Sequence, residues 1–196
     1  MTITRRQCMR LLVFGGAAFL VEGHAPYRQW IAYRADRLMI VANRRPPEAF
    51  RIARTLATHL RRTIPDARAE VARSPTLLRI AQLVITKQIE VAVVTTAEAQ
   101  QMARGEGAIA REGPVPLRVV AFLRAPYVLV CHREFDRAKA YLMAFGLFDG
   151  EGSSTLDRSY GSLSAAMRRA GEIRVPLHVG AREFYLELDQ GTKEDS

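Results

Sequence analysis

Along this chain, short unbroken apolar runs alternate with longer stretches in which apolar residues recur every three or four positions. Leu38-Met39-Ile40-Val41-Ala42 is such a run, as expected of a strand buried on both faces. Asn43 to Pro47 reads as a turn. Phe50, Ala53, Leu56, Ala57, Leu60 and Ile64 then recur at helical spacing and predict an amphipathic helix over 47–63. Proline suits the first turn of that helix, and Glu48 suits the positive end of its dipole. Ala67 to Ala72 predicts a second strand. Ser74 as N-cap and Pro75 at the first helical position then open a helix that runs to about Thr86. Ile89 to Val94, β-branched and apolar, predicts a third strand. Thr95 or Thr96 caps the helix after it, which ends near Arg104-Gly105.

Beyond a loop from Gly105 to Pro116, Leu117 to Leu123 and Tyr127 to His132 predict two strands joined by a tight Arg124-Ala125-Pro126 turn. Asp136 to Phe148 predicts a helix, Asp149 to Ser154 a flexible loop, and about Tyr160 to Ala170 another helix. Pro176 to Ala181 turns into a last helix with Phe184, Tyr185 and Leu188 on one face. Strands alternating with helices of these lengths imply an α/β fold. The expectation is a single domain over 26–190 with a mainly parallel sheet of about five strands flanked by helices, then a polar tail over 191–196.

The first 25 residues follow a different logic. A basic head around Arg5, Arg6 and Arg10 precedes an uncharged apolar run of eleven residues, Leu11 to Val21, and a small-residue site at Gly23-His24-Ala25. That is the pattern of an export signal. As a helix the run covers about 16 Å against roughly 30 Å of hydrocarbon, a poor membrane span. Paired arginines after Thr4 resemble a twin-arginine signal, with Cys8 where a bulky apolar residue is usual. Residues 1–25 are therefore expected to act as an export signal or as an uncleaved anchor holding the chain at a membrane. Either way the expected location is periplasmic.

Composition narrows the chemistry. The chain is 48% hydrophobic and 25% charged, ordinary for a globular protein, with a net charge of +9. Lys87, Lys139 and Lys193 are its only lysines. The arginines are spread among Glu and Asp along the chain, which does not suggest a phosphate-tracking stripe, so nucleic acid is not expected as a partner. No catalytic constellation assembles. Cys131 and His132 are neighbours on a predicted strand and point to opposite faces, and the four histidines lack ligand spacing. No GxGxxG or P-loop pattern occurs. The expectation is a non-enzyme without metal or cofactor. A different kind of site lies at the carboxyl ends of the first three strands, where ligands of open α/β sheets bind and helix N-termini face anions. Asn43, Arg44 and Arg45, then Arg73, Ser74 and Thr76, then Thr95 and Thr96 are the candidate residues for a small carboxylate. The competing reading is that Ser74 and Thr95 only cap helices while the arginines are solvated.

Two stretches resemble a known family. Leu38 to Met102, with Leu83 to Val94 matching a helix that leads into a "dVAv" strand, resembles the first lobe of a type 2 periplasmic solute-binding protein. The branch is the TAXI receptors of tripartite ATP-independent periplasmic (TRAP) transporters. Val175-Pro176-Leu177-His178-Val179-Gly180-Ala181 and the following Phe184-Tyr185-Leu186-Glu187 resemble that family's closing "PLHPGA…YY.E", with Val179 in place of proline. The resemblance implies capture of a small organic anion outside the cytoplasmic membrane, presented to a membrane transporter or a sensor. Two departures qualify it. The first loop is Asn43-Arg44-Arg45-Pro46-Pro47 rather than rich in Gly, Ser and Thr, and the second lobe is missing between about Val120 and Tyr127. The alternative is therefore an accessory subunit of a periplasmic or membrane complex that has lost ligand binding.

Overall fold

A computed structural model describes residues 37–148 and 158–194. The expected export signal or anchor over 1–25 and the expected flexible loop at 149–154 lie outside the described residues. The fold is α/β, with five strands in one sheet. They are β1 (Met39–Asn43), β2 (Glu70–Ser74), β3 (Val91–Thr95), β4 (Leu117–Phe122) and β5 (Tyr127–His132), in spatial order β2-β1-β3-β5-β4. β1 pairs in parallel with β2 and β3, whereas β5 is antiparallel to both β3 and β4. Four strands thus point one way. β5 turns back through the Arg124–Pro126 hairpin and fills the slot between β3 and β4.

Among the described residues six helices flank the sheet: α1 (Pro47–Thr63), α2 (Leu77–Ile85), α3 (Thr96–Arg104), α4 (Arg137–Phe148), α5 (Leu163–Glu172) and α6 (Val179–Glu194). The β1-α1-β2 and β2-α2-β3 crossovers travel in opposite directions along the sheet, which places α1 and α2 on opposite faces. α1 packs beside α4, while α2 and α3 meet around a short turn at Gly107–Ile109. β1 and β5 are buried along their whole length, as continuous apolar strands covered on both faces should be.

Two elements differ from their sequence-based expectation. Pro65–Ala67 forms a 3-10 turn and Arg68 adopts a left-handed backbone (φ 43°), so β2 begins at Glu70 rather than Ala67 and reaches Ser74. Ser74 is therefore the last residue of a strand and not an N-cap. Its Oγ donates to the Thr76 carbonyl (3.0 Å), and Thr76 caps α2 by accepting from the Arg79 N–H (3.2 Å). Likewise α5 begins at Leu163, capped by Ser162, whose Oγ accepts from the Ala165 N–H, while Tyr160 belongs to a preceding 3-10 turn.

The segment 175–181, singled out by its sequence, joins three parts of the fold. Val119 of β4 donates to the Pro176 carbonyl and accepts from the His178 N–H, both at 2.8 Å. The buried His178 ring donates from Nε2 to the Phe135 carbonyl (2.9 Å), and its Nδ1 accepts from the Gly180 N–H (3.2 Å) at the start of α6. A Cβ on Gly180 would overlap the Arg137 carbonyl oxygen, so only glycine lets α6 cross α4 this closely. Phe148, Phe184 and Tyr185 form an aromatic cluster behind this crossing.

Two predictions follow from this packing. The Tyr185 hydroxyl is fully buried and has no hydrogen-bond partner among the described residues. A buried hydroxyl left unpaired costs about 1–3 kcal/mol, so Tyr185→Phe should leave stability unchanged or raise it by about 1 kcal/mol in urea unfolding. A clear loss would show that the hydroxyl has a partner. Burial also holds His178 and His132 below the usual imidazole range. Both groups bind protons more readily in the unfolded chain, so their contribution is full above about pH 6.5 and declines as pH falls below it. Glu90, raised by burial, acts in the opposite sense nearer pH 4.5. The urea midpoint should therefore drop between pH 7.5 and pH 5.5, and by less in His178→Gln; a flat profile in the parent chain would contradict this assignment.

Candidate functional site

All eight candidate residues lie at one edge of the sheet, where β1, β2 and β3 end and α1, α2 and α3 begin. Asn43 and Ser74 are register partners on adjacent parallel strands, and the Arg44 N–H donates to the Ser74 carbonyl at 2.7 Å. The edge is built mostly from internal hydrogen bonds. Asn43 Oδ1 accepts from the Arg45 N–H (3.2 Å), which folds the Asn43–Pro47 loop back on itself. Thr95 and Glu98 form a capping box. Thr95 Oγ1 accepts from the Glu98 N–H (3.1 Å), and the Glu98 carboxylate accepts from the Thr95 N–H (2.8 Å) and hydroxyl (3.0 Å). The Thr96 N–H donates to the Pro126 carbonyl at 2.8 Å, tying the β4–β5 hairpin to the same edge.

These bonds divide seven of the eight candidates into two groups, Thr96 being placed through its backbone N–H. Asn43, Ser74, Thr76 and Thr95 use their side-chain polar atoms within the fold. Arg44, Arg45 and Arg73 are exposed, and no carboxylate among the described residues pairs with them. The Arg73 guanidinium sits 4.1 Å from the centre of the Phe50 ring, a cation–π contact that holds it beside the first turn of α1. The α1 N-terminus has no side-chain cap. Glu48 lies in that first turn and forms ion pairs with Arg51 and, at 3.1 Å, with Arg124.

Several residues at this edge were not singled out from sequence. Tyr127 is the register partner of Thr95. Burial pushes its hydroxyl ionisation up, the Glu98 charge adds to this, and Arg51 offsets part of it. Arg124 and Tyr127 arrive here because β5 inserts beside β3, a pairing that no local pattern announces. The Thr95-x-x-Glu98 spacing did carry a visible signal, that of a capping box.

Charge is also less evenly distributed than its spread along the chain suggests. Residues 37–86, which build β1-α1-β2-α2, hold ten arginines against three acidic residues, whereas 87–196 hold fourteen basic and fifteen acidic residues. Most of the positive excess of the described fold lies in its first half, since the described residues after 86 hold fourteen basic and eleven acidic residues.

Chemistry elsewhere is limited. Cys131 is buried, and burial together with the nearby Glu90 charge pushes its thiol ionisation far up, so no thiolate forms near neutrality. His132 Nδ1 accepts from the Glu134 N–H (3.1 Å) and is not aimed at Cys131. Among the described residues no group of three or more His, Cys, Asp or Glu side chains could hold a metal ion. No described helix is long and apolar enough to cross a membrane. The chain matches no protein-family model and no curated protein sequence.

The division between committed and uncommitted side chains is testable by stability alone. Thr95→Ala removes the capping box and should cost about 1 kcal/mol of unfolding free energy. Arg44→Ala with Arg45→Ala should stay within about 0.5 kcal/mol, as exposed substitutions do. Equal losses in both variants would place the arginines in the folding scaffold.

Proposed function

We propose that the chain is an exported, non-catalytic binding lobe, similar to a shortened TAXI-type solute receptor, that takes a small organic anion outside the cytoplasmic membrane. The observation supporting this reading is the set of Arg44, Arg45 and Arg73 at the carboxyl ends of β1 and β2, exposed and without carboxylate partners among the described residues. Guanidinium forks hold carboxylates through two parallel N–H···O bonds.

Magnitudes decide what such an edge can do alone. A hydrogen bond to a charged group contributes about 1.5–3 kcal/mol, while association costs at least about 4 kcal/mol of lost freedom. Three such bonds on an open edge therefore hold a small acid only weakly, with a dissociation constant of about 1 mM or more. Tight capture requires a second surface over the ligand, so this reading carries with it a covering partner, a transporter or another complex subunit.

A second reading draws support from the committed polar groups. With Asn43, Ser74, Thr76 and Thr95 engaged internally, the edge suits an accessory subunit of a periplasmic or membrane complex that no longer binds solute.

Titration of the full chain with succinate or glutamate at low salt, followed by amide NMR, separates the two. The first reading expects saturable shifts in residues 43–45 and 73–76 at millimolar acid, lost in the variant carrying Arg44→Ala and Arg45→Ala. Absence of shifts at tens of millimolar acid, together with stable co-purification of a partner, would establish the second.

A further inference from the structure

The apolar stripe of α1, with Ala49, Ile52, Ala53, Leu56, Ala57 and Leu60, is buried against the sheet, leaving an outer face with a different character. Arg54, Thr55, Thr58, Arg61 and Arg62 fall on that outer side, and no acidic residue follows Glu48 in the helix. Arg61 is held in place, donating to the Ala69 carbonyl (2.7 Å) and to Thr58 Oγ1 (3.0 Å). Arg54 and Arg62 are exposed and have no carboxylate partner among the described residues. Arg73, stacked on Phe50, continues the positive surface at the N-terminal end of the helix. A concavity follows this flank, and Phe50, Arg54, Thr55, Thr58 and Arg62 are among the residues lining it, with Glu48 at its N-terminal end.

We propose that the outer face of α1 is a docking surface for an acidic segment of a partner protein. Spacing argues for an extended partner. Arg54 and Arg62 are eight residues apart, about 12 Å along the axis, too far for one small carboxylate to bridge. Carboxylates repeated once per turn of a partner helix, about 5.4 Å apart, match the ladder of guanidinium and hydroxyl groups. Charge complementarity is supplied by Arg54, Arg61 and Arg62, opposed on this helix by Glu48 alone, which is already paired with Arg51 and Arg124. Nucleic acid is the weaker fit: three or four phosphate contacts would release few counterions, against the 6–10 contacts of strongly salt-dependent binders. This surface adjoins the strand-end edge at Arg73, but Arg54, Arg61 and Arg62, which define it, are not among the residues of that edge, so it stands whether or not the edge takes a small acid.

The test is fluorescence anisotropy of the full chain with a labelled glutamate-rich decapeptide at low salt. Binding is expected to be saturable and to weaken with salt. The variant carrying Arg54→Glu and Arg62→Glu should lose at least tenfold in affinity, and Arg54→Gln with Arg62→Gln should lose less. Arg168→Glu with Arg182→Glu, an equal charge change on α5 and α6, should stay within twofold. Thermal unfolding of each variant confirms that it is folded. Three results would overturn the proposal: no binding by the parent chain, equal losses from the α1 and the α5/α6 reversals, or tighter binding of an oligonucleotide or anionic vesicle of matched charge.

Discussion

Much of this fold hangs on the imidazole of His178. Held neutral by burial, it donates through one nitrogen and accepts through the other, and so links the loop before α4 to the first turn of α6. The backbone on either side of it is bonded to β4. A protonated ring would carry a hydrogen on both nitrogens and could no longer accept from the Gly180 N–H. Arg118 adds to the burial penalty, while Asp136, Glu183 and the Phe135 carbonyl favour the proton. Burial is the larger influence, and the neutral ring that results is the form the junction requires. The segment 175–187, singled out by its sequence, thus has a packing role in this chain. Pro176, His178 and Gly180 serve the packing of α6 onto the sheet, and none of them lies at the strand ends where the candidate ligand residues gather.

The sequence was most informative where a residue's local pattern and its tertiary role agree. Leu38 to Ala42, the α1 stripe and the Ile89 to Val94 run are apolar because they are covered, and their periods identify them. It was less informative where a backbone detail intervenes. The left-handed Arg68 moves β2 three residues along the chain and turns Ser74 from an apparent helix cap into a buried strand end. The position of β5 was not legible at all. A hairpin signal says that β4 and β5 pair, but whether the returning strand lies inside or outside β4 depends on contacts with β3 far away in sequence.

That the eight candidate residues gather at the strand ends was legible, because helices following parallel strands must begin there. Its composition read differently from its chemistry. Hydroxyl and amide side chains at such positions invite a ligand reading, yet the same groups are those that orphan helix N–H groups and tight loops demand. At Asn43, Ser74, Thr76 and Thr95 the local demand is met first, and only the long guanidinium side chains reach past it into solvent. That is also why the half of the fold richest in arginine retains so much uncompensated charge.

The isolated parallel bridge between Val119 and Leu177 bears on how the chain must be made. β4 is an edge strand, and edges with open backbone groups recruit other strands. The residues that cover it lie 58 positions later in the chain. At ribosomal rates of 5–20 residues per second, roughly 3–12 s separate synthesis of the edge from synthesis of its cover. During that interval the nascent sheet has a β4 edge without its own cover, the moment at which a chaperone or a binding partner would have most to protect.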